Sequence, residues 1–396
     1  MKSTGAAYGC DWCTQKAYYG VNRQIYKISE TAPLRDVNQI NLVLNSDTLL
    51  LQDDTAEGLL RKSPVMKLHN EIEEFDFIWS LPLDSMHCVH MGITKRFYKM
   101  VYEDYGSKSV FASVAARDLE RDRADELISN TKVPSFFARR TRTMVDSANY
   151  KSSEWQCMDM MLMPAMAMHL SEDGADRPMS FLLASWAFFV RALYYDKETR
   201  DKIEEFVALD DILHDFQRQY QETFGGEQIT YNMHIIRHAQ ESADRTGPLW
   251  KTSTSRFEAS YQKVTSNYKA GTYNIGKQAL QNFYLAEGIK HYCYDHGGTQ
   301  ITTGPTEKTN DSIIFALGRC YQVEDIEENV LMCREILTED FTTANLNFYV
   351  PWNLVGVRKQ TGHSNETCLI RKNQVQGHLV EVSGLLVEAR KQWMIK

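Results

Sequence analysis

The stretch Phe75–Gly92, FDFIWSLPLDSMHCVHMG, constrains this chain more than any other. Its aromatic and β-branched run (Phe75, Phe77, Ile78, Trp79) reads as a short strand, and Leu81-Pro82-Leu83 then forces a turn. Met86, Val89, Ile93, Phe97, Met100 and Val101 recur at helical spacing, which predicts a helix over 84–105. Asp84 is placed to cap its start and Gly106 to end it. Asp84 and His87 stand at i and i+3, so both side chains share one helical face. From there the carboxylate can orient the imidazole, or both can reach one ligand. The same spacing also suits a helix cap beside a satisfied core histidine.

Around this stretch the chain reads as α+β and mainly helical. Helical patterns are expected near 110–129, 152–170, 179–196, 199–223 and 230–244, in a helix containing Glu258, and over 276–292. Six methionines between Met158 and Met168 predict an irregular packed interior, because methionine adapts to core gaps. After Gly297-Gly298 the texture changes to short β-branched and aromatic runs (Ile313–Leu317, Asn347–Val350, Leu354–Val357, Gly377–Val382), as in a small antiparallel module. The strongest apolar run, Phe181–Leu193, is shorter than the roughly 20 residues a bilayer needs, so no membrane partner is expected. A formal charge of −8 excludes a surface coated for nucleic acid and confines any phosphate contact to local basic clusters. Arg139, Arg140 and Arg142 form one such cluster, although a short basic run also suits a solvated loop. The eight cysteines are too dispersed for a secreted disulfide scaffold, which favours a reducing compartment, nucleus or cytoplasm.

Only Cys10 and Cys13 form a close thiol pair, with the bite of half a zinc site. His234 and His238, at i and i+4, are the best-spaced donors to complete it, and His87 with His90 compete for the role. Two reduced thiols and two structural histidines remain the plainer alternative. Cys88, Cys157, Cys293, Cys320, Cys333 and Cys368 have no partner at useful spacing and are expected as buried thiols. Glu258, at the start of a helix, would ordinarily do no more than favour the helix dipole.

Taken in order, these pieces resemble one family, the CACTA-type (En/Spm-like) DNA transposases and the transposase-domain proteins derived from them. The matching text runs from Gly9-Cys10-x-x-Cys13 through Phe75-Asp76-x-x-Trp79-x-x-Pro82-x-Asp84-x-Met86-His87-x-x-x-x-Gly92. It continues with Lys151-x-Ser153-Glu154-Trp155, Tyr231-Asn232-x-His234-x-x-x-His238 and Gly247-Pro248-Leu249-Trp250, then Phe257-Glu258 and Gly271-Thr272-x-Asn274. The likeness covers about residues 9–280; the tail is similar only in texture.

The resemblance implies a ribonuclease-H-like core in which three carboxylates hold two Mg²⁺ ions for phosphodiester cleavage and strand transfer. It implies four regions: a partial core with its Cys-x-x-Cys knuckle (1–109), a large helical insertion (110–245), the return of the core (246–300) and a β-rich module (301–396). Glu258 falls where the third metal-binding acid is expected, and Asp84 and His87 fall on the family's Asp-x-x-His motif near the scissile phosphate. DNA, as transposon ends, is the implied partner, with a homo-oligomer as a further expectation and the nucleus as the site of action. The pattern departs from the family at the front, where both catalytic aspartates lie ahead of the Cys pair. This chain has nine residues there and no Asp, so the reading is an N-terminally incomplete relative that does not cleave DNA alone. His90 stands where an apolar residue is usual, which favours a local metal or pH-sensitive role. The alternative is a recruited, non-enzymatic DNA- or protein-binding scaffold held by structural zinc.

Overall fold

A computed structural model describes residues 7–20, 22–40, 75–103, 114–131, 141–172, 177–255 and the strands between 313 and 389, with a few single positions besides. Within them the chain is α+β, mainly helical before 255 and mainly β after 313. The 276–292 helix, Arg140 and Cys293 lie outside the described residues.

The helix after the Leu-Pro-Leu turn begins as a π-helical stretch, Ser85–Thr94, and runs on as α-helix over Lys95–Tyr102; together they are α1. Asp84 caps it as expected, its carboxylate accepting the Met86 N–H. The run before it is not a strand. Asp76 Oδ1 accepts from the backbone N–H groups of both Ile78 and Trp79, and the Ser80 N–H returns to the Asp76 carbonyl. An Asx-type turn therefore overrides the β-propensity of the aromatic residues. The turn still buries Phe77, Ile78 and Trp79, with the Arg245 guanidinium over the Trp79 ring at 4.8 Å.

Helix α2, Val114–Asn130, turns Ala124, Leu127 and Ile128 inward and pairs Arg121 with Asp118 and Arg123 with Glu120 on its polar side. The methionine-rich segment forms α3, made of Ser152–Cys157, a second π-helical stretch Met158–Leu162, and Met163–Glu172. All six of its methionines are buried. Helix α4, Arg177–Leu193, packs along α3 and is apolar nearly all round, as a helix enclosed on every side must be. The pattern expected as one helix over 199–223 is two, α5 (Lys197–Glu204) and α6 (Leu209–Phe224). The buried positions explain the break: Ile203 to Leu209 is six residues, which no single helical face accommodates. Asp196 caps α5 through the Thr199 N–H. Last come α7, Tyr231–Ile235, a 3₁₀ turn over Ile236–His238, and α8, Ala239–Thr246.

One apolar core runs through all of this. It joins Cys10, Trp12 and Tyr26 near the front to Phe97 on α1, Trp155 and Trp186 on α3 and α4, and Val355, Val357, Leu385 and Val387 from the β region. Arg191, fully buried on α4, donates to the carbonyls of Val355 and Met160 and so ties the β region to the helices.

The β region is a closed antiparallel barrel in the order β10-β8-β5-β4-β3-β9, with strands β3 (Ile313–Ala316), β4 (Arg319–Ile326), β5 (Val330–Glu339), β8 (Val357–Arg371), β9 (Val375–Val382) and β10 (Leu385–Ala389). Closure leaves no free sheet edge in that barrel. A hairpin of β6 (Thr342–Asn345) and β7 (Phe348–Pro351) lies against α4. Near the front, β1 (Tyr18–Gly20) pairs with β2 (Arg23–Ile25). No sheet of a ribonuclease-H-like core is present among the described residues. No described helix is long and apolar enough to cross a membrane.

Arg142, expected on a phosphate-binding surface, instead holds a buried acid. Its guanidinium makes two bonds to Glu154, Nε to Oε1 at 2.8 Å and Nη2 to Oε2 at 2.9 Å, and a third to the Asn149 carbonyl. Glu154 also accepts the Lys151 N–H at the start of α3. Burial opposes the charged carboxyl, but the guanidinium and that N–H outweigh it and hold the group below its ordinary 4.5. A depressed carboxyl stabilises the native state above its unfolded value and loses that contribution as pH falls through the folded value. Melting temperature followed from pH 7 down to pH 3 should therefore fall more steeply in the wild type than in Glu154→Gln; parallel curves would contradict this role for the pair. Arg139 is exposed and so is open to solvent contacts.

Candidate metal centre and acid–imidazole cluster

The Cys10-Asp-Trp-Cys13 turn is fixed by backbone bonds to the segment that follows it. The Thr14 N–H donates to the Pro33 carbonyl and the Arg35 N–H to the Trp12 carbonyl, while the Arg35 side chain donates to the Cys10 carbonyl. Both sulfurs then face the α7 region, 221 and 228 residues away: Cys13 Sγ lies 3.3 Å from His234 Nε2, and Cys10 Sγ 3.6 Å from His238 Nε2. The donor atoms of Cys10, Cys13, His234 and His238 all lie within 4.8 Å of one another. A tetrahedral zinc with bonds of about 2.3 Å to sulfur and 2.05 Å to nitrogen sets sulfur–nitrogen edges of about 3.5 Å. The two sulfur–nitrogen distances match that edge, and the donor set is a Cys2His2 one. The four residues fit zinc.

The surroundings orient the donors. The Tyr26 ring stacks on His234 at 4.2 Å with only 6° between planes, and the Tyr26 N–H anchors its strand to the Ile229 carbonyl. Stacking thus fixes the imidazole whose Nε2 faces the sulfur, a role more often taken by a hydrogen bond to the far nitrogen. Trp12 covers His238 at 5.7 Å. Within the thiol pair Cys13 is pulled down, first by its hydrogen bond with Cys10 and then, against burial, by the two imidazoles, while the same bond and burial push Cys10 up; burial lowers His234. A zinc ion takes both sulfurs as thiolates, so its binding would release protons from this pair. His234 and His238 are not stacked on one regular helical face as their spacing suggests. The 3₁₀ turn sets their rings edge to face at 5.5 Å while keeping both nitrogens on one point.

His90 takes no part in this cluster. It is fully buried, with Nδ1 2.6 Å from Asp159 Oδ2 and Nε2 2.6 Å from the Tyr194 hydroxyl. Thr94 and Trp186 both donate to Asp159 Oδ1, and Gln156 donates to the Tyr194 hydroxyl. The polar residue at an apolar position is therefore a core histidine joining α1 to α3 and α4; no metal-ligand cluster among the described residues includes it.

A second cluster sits at the start of α1. His87 Nδ1 lies 2.5 Å from Asp84 Oδ2, and His87 Nε2 lies 3.2 Å from Glu258 Oε1. The late glutamate and the early Asp-x-x-His pair therefore meet on one exposed imidazole. Thr254 makes the meeting specific. Its N–H donates to Asp84 Oδ1 and its hydroxyl to Asp84 Oδ2 at 2.7 Å, while its carbonyl accepts the Glu258 N–H. Thr252 donates to the Leu83 carbonyl, pinning the same two segments. Burial opposes ionisation of Asp84, yet the Thr254 and His87 bonds prevail and keep its carboxyl below the ordinary range. The motif reading missed Thr254; the only signal was the run Thr252-Ser-Thr-Ser255 ahead of Glu258.

The two carboxylates lie on opposite edges of the imidazole. Two oxygens on one Mg²⁺ stand within about 4 Å of each other, given bonds near 2.1 Å. Among the described residues the one group of three or more metal-ligating side chains is the Cys/His set. Nothing in the described residues supports Mg²⁺. Cys88, Cys157, Cys320 and Cys333 are buried and Cys368 is partly buried, none of them in a disulfide. Burial raises the Cys88 thiol and pushes Cys157 up to about 11.

Comparison with protein-family models, with curated proteins and with solved structures gives no match to this chain.

Proposed function

We propose that this chain is a transposase-derived, DNA-directed protein, held together by a structural zinc and not itself a nuclease. The observation that carries the reading is the closure of two motif pairs across long stretches of chain. Cys10 and Cys13 meet His234 and His238, and Glu258 meets His87, which Asp84 holds from its other ring nitrogen. Unrelated motifs scattered along a helical protein have no reason to close pairwise. The placement of the two carboxylates on different ring nitrogens of His87 favours binding over cleavage, because an in-line displacement needs ions clamped between acids.

The expected result with purified chain and labelled duplex is salt-dependent binding and no strand cleavage with either Mg²⁺ or Mn²⁺. Cleavage abolished by Glu258→Gln would replace the non-enzymatic reading with a catalytic one. Failure to bind duplex or single strand at any ionic strength would remove the DNA-directed reading altogether.

A further inference from the structure

Two turns beyond His87, α1 forms one wall of a cleft of about 320 Å³ that neither cluster uses. Lys95, Arg96 and Lys99 line that wall, and Gln228 and Thr230 from the segment leading into α7, with Asn232 in its first turn, face them. No acidic residue lines it, in a chain whose net charge is −8. Lys95 makes no ion pair among the described residues. Lys99 reaches Glu103 only at 3.7 Å, and Arg96 is oriented across the cleft by its bond to the Gln228 side chain. On the opposite wall Thr230 precedes α7 with its hydroxyl unused as a cap. Gly92 admits Asn232 to the wall: a Cβ there would lie 2.3 Å from Asn232 Nδ2 and 2.6 Å from the His87 carbonyl. Three cations facing a hydroxyl and two amides form a donor-rich concavity, which suits a phosphate oxygen cluster.

We propose that this cleft binds a backbone phosphate of a nucleic-acid strand whose neighbouring nucleotides pass the Asp84–His87–Glu258 cluster. His87 and Lys95 are eight residues apart on one helix, no more than about 12 Å along its axis. A strand rises about 3.4 Å per phosphate, so the two points are three to four nucleotides apart. The cleft therefore positions a strand without reading its bases. This inference rests on the DNA-directed reading above.

The test is fluorescence anisotropy with two labelled 30-nucleotide duplexes of unrelated sequence, titrated with salt, for wild type and Lys95→Gln/Lys99→Gln. Each phosphate contact contributes about 0.9 to the slope of log K against log salt, so losing the one phosphate held by Lys95 and Lys99 should take about 1 from that slope, equally on both sequences. Lys95→Arg/Lys99→Arg should keep the wild-type slope, and matched thermal melts of all three proteins separate binding from folding. An unchanged slope in the glutamine variant, with wild-type binding intact, overturns the cleft assignment alone. Displacement by inorganic phosphate beyond that caused by chloride of equal ionic strength would show a free-phosphate site and overturn the strand assignment. Absence of wild-type binding sinks this inference together with the reading it rests on.

Discussion

Stripping zinc with a chelator, or replacing Cys13 with alanine, should release residues 7–40 from the helices and lower the melting temperature by roughly 10 °C. The size follows from linkage. A ligand present at about 1,000 times its dissociation constant, and bound only by the native state, stabilises it by about 4 kcal/mol. At roughly 2–4 °C per kcal/mol for a folding unit of this size, that is a shift of about 10 °C. The effect should be local first, because the Cys pair is the main tie between the front segment and α7. The polar ties besides it, the Tyr26 N–H to Ile229 and the Arg237 side chain to the Glu30 carbonyl, contribute about 1 kcal/mol each, and the Trp12 and Tyr26 rings pack on the two histidines that the ion would hold. Limited proteolysis should cut within residues 7–40 in the chelated protein before it cuts the helices. Equal melting temperatures with and without chelator would mean that the four donors pack as ordinary core residues.

Replacing Asp159 with alanine should destabilise the chain by about 3–5 kcal/mol, the range for breaking a buried pair from one side. The carboxylate accepts from His90, Thr94 and Trp186 within a core that excludes water. Truncation leaves the His90 Nδ1 site and the Thr94 hydroxyl without their acceptor. Asp159→Asn keeps an oxygen toward Thr94 and Trp186 and should cost clearly less. Burial raises the Asp159 carboxyl despite those donors. A raised carboxyl favours the native state below its ordinary 3.8 and loses that contribution as pH rises through the folded value. The charged form is thus the costly one at neutral pH, and amide substitution removes that cost. Urea unfolding of the two variants at pH 7 gives the comparison, and an alanine variant within about 0.5 kcal/mol of wild type would contradict it.

The sequence carried some of this architecture openly, and physical reasons account for what it concealed. The helix after Pro82 and its Asp84 cap were legible because capping and 3.6-residue periodicity are local. Its π-helical first half was not, since Met86, Val89 and Ile93 suit either winding. The aromatic run before it misled, because one Asp76 carboxylate captured two backbone N–H groups and bent the chain. Cys-x-x-Cys and His-x-x-x-His were each visible as halves, and spacing offered their union across more than 220 residues while leaving His87 and His90 as rivals that only the fold removes. Glu258 was likewise invisible to pattern, and its partner Thr254 is a single hydroxyl in a run of them. Arg142 and His90 were misread for a shared reason. A polar side chain in sequence does not announce whether it will meet solvent or a buried acid, here Glu154 and Asp159.

The central claim, that the front thiols and the late imidazoles share one ion, is tested most directly by X-ray absorption at the zinc edge on the purified chain. The account predicts about one zinc per chain, with two sulfur neighbours near 2.3 Å and two nitrogen neighbours near 2.0 Å, and loss of the sulfur shell in Cys10→Ala/Cys13→Ala. A shell of nitrogen and oxygen alone, or a chain that folds with no zinc in a metal-replete preparation, would contradict it.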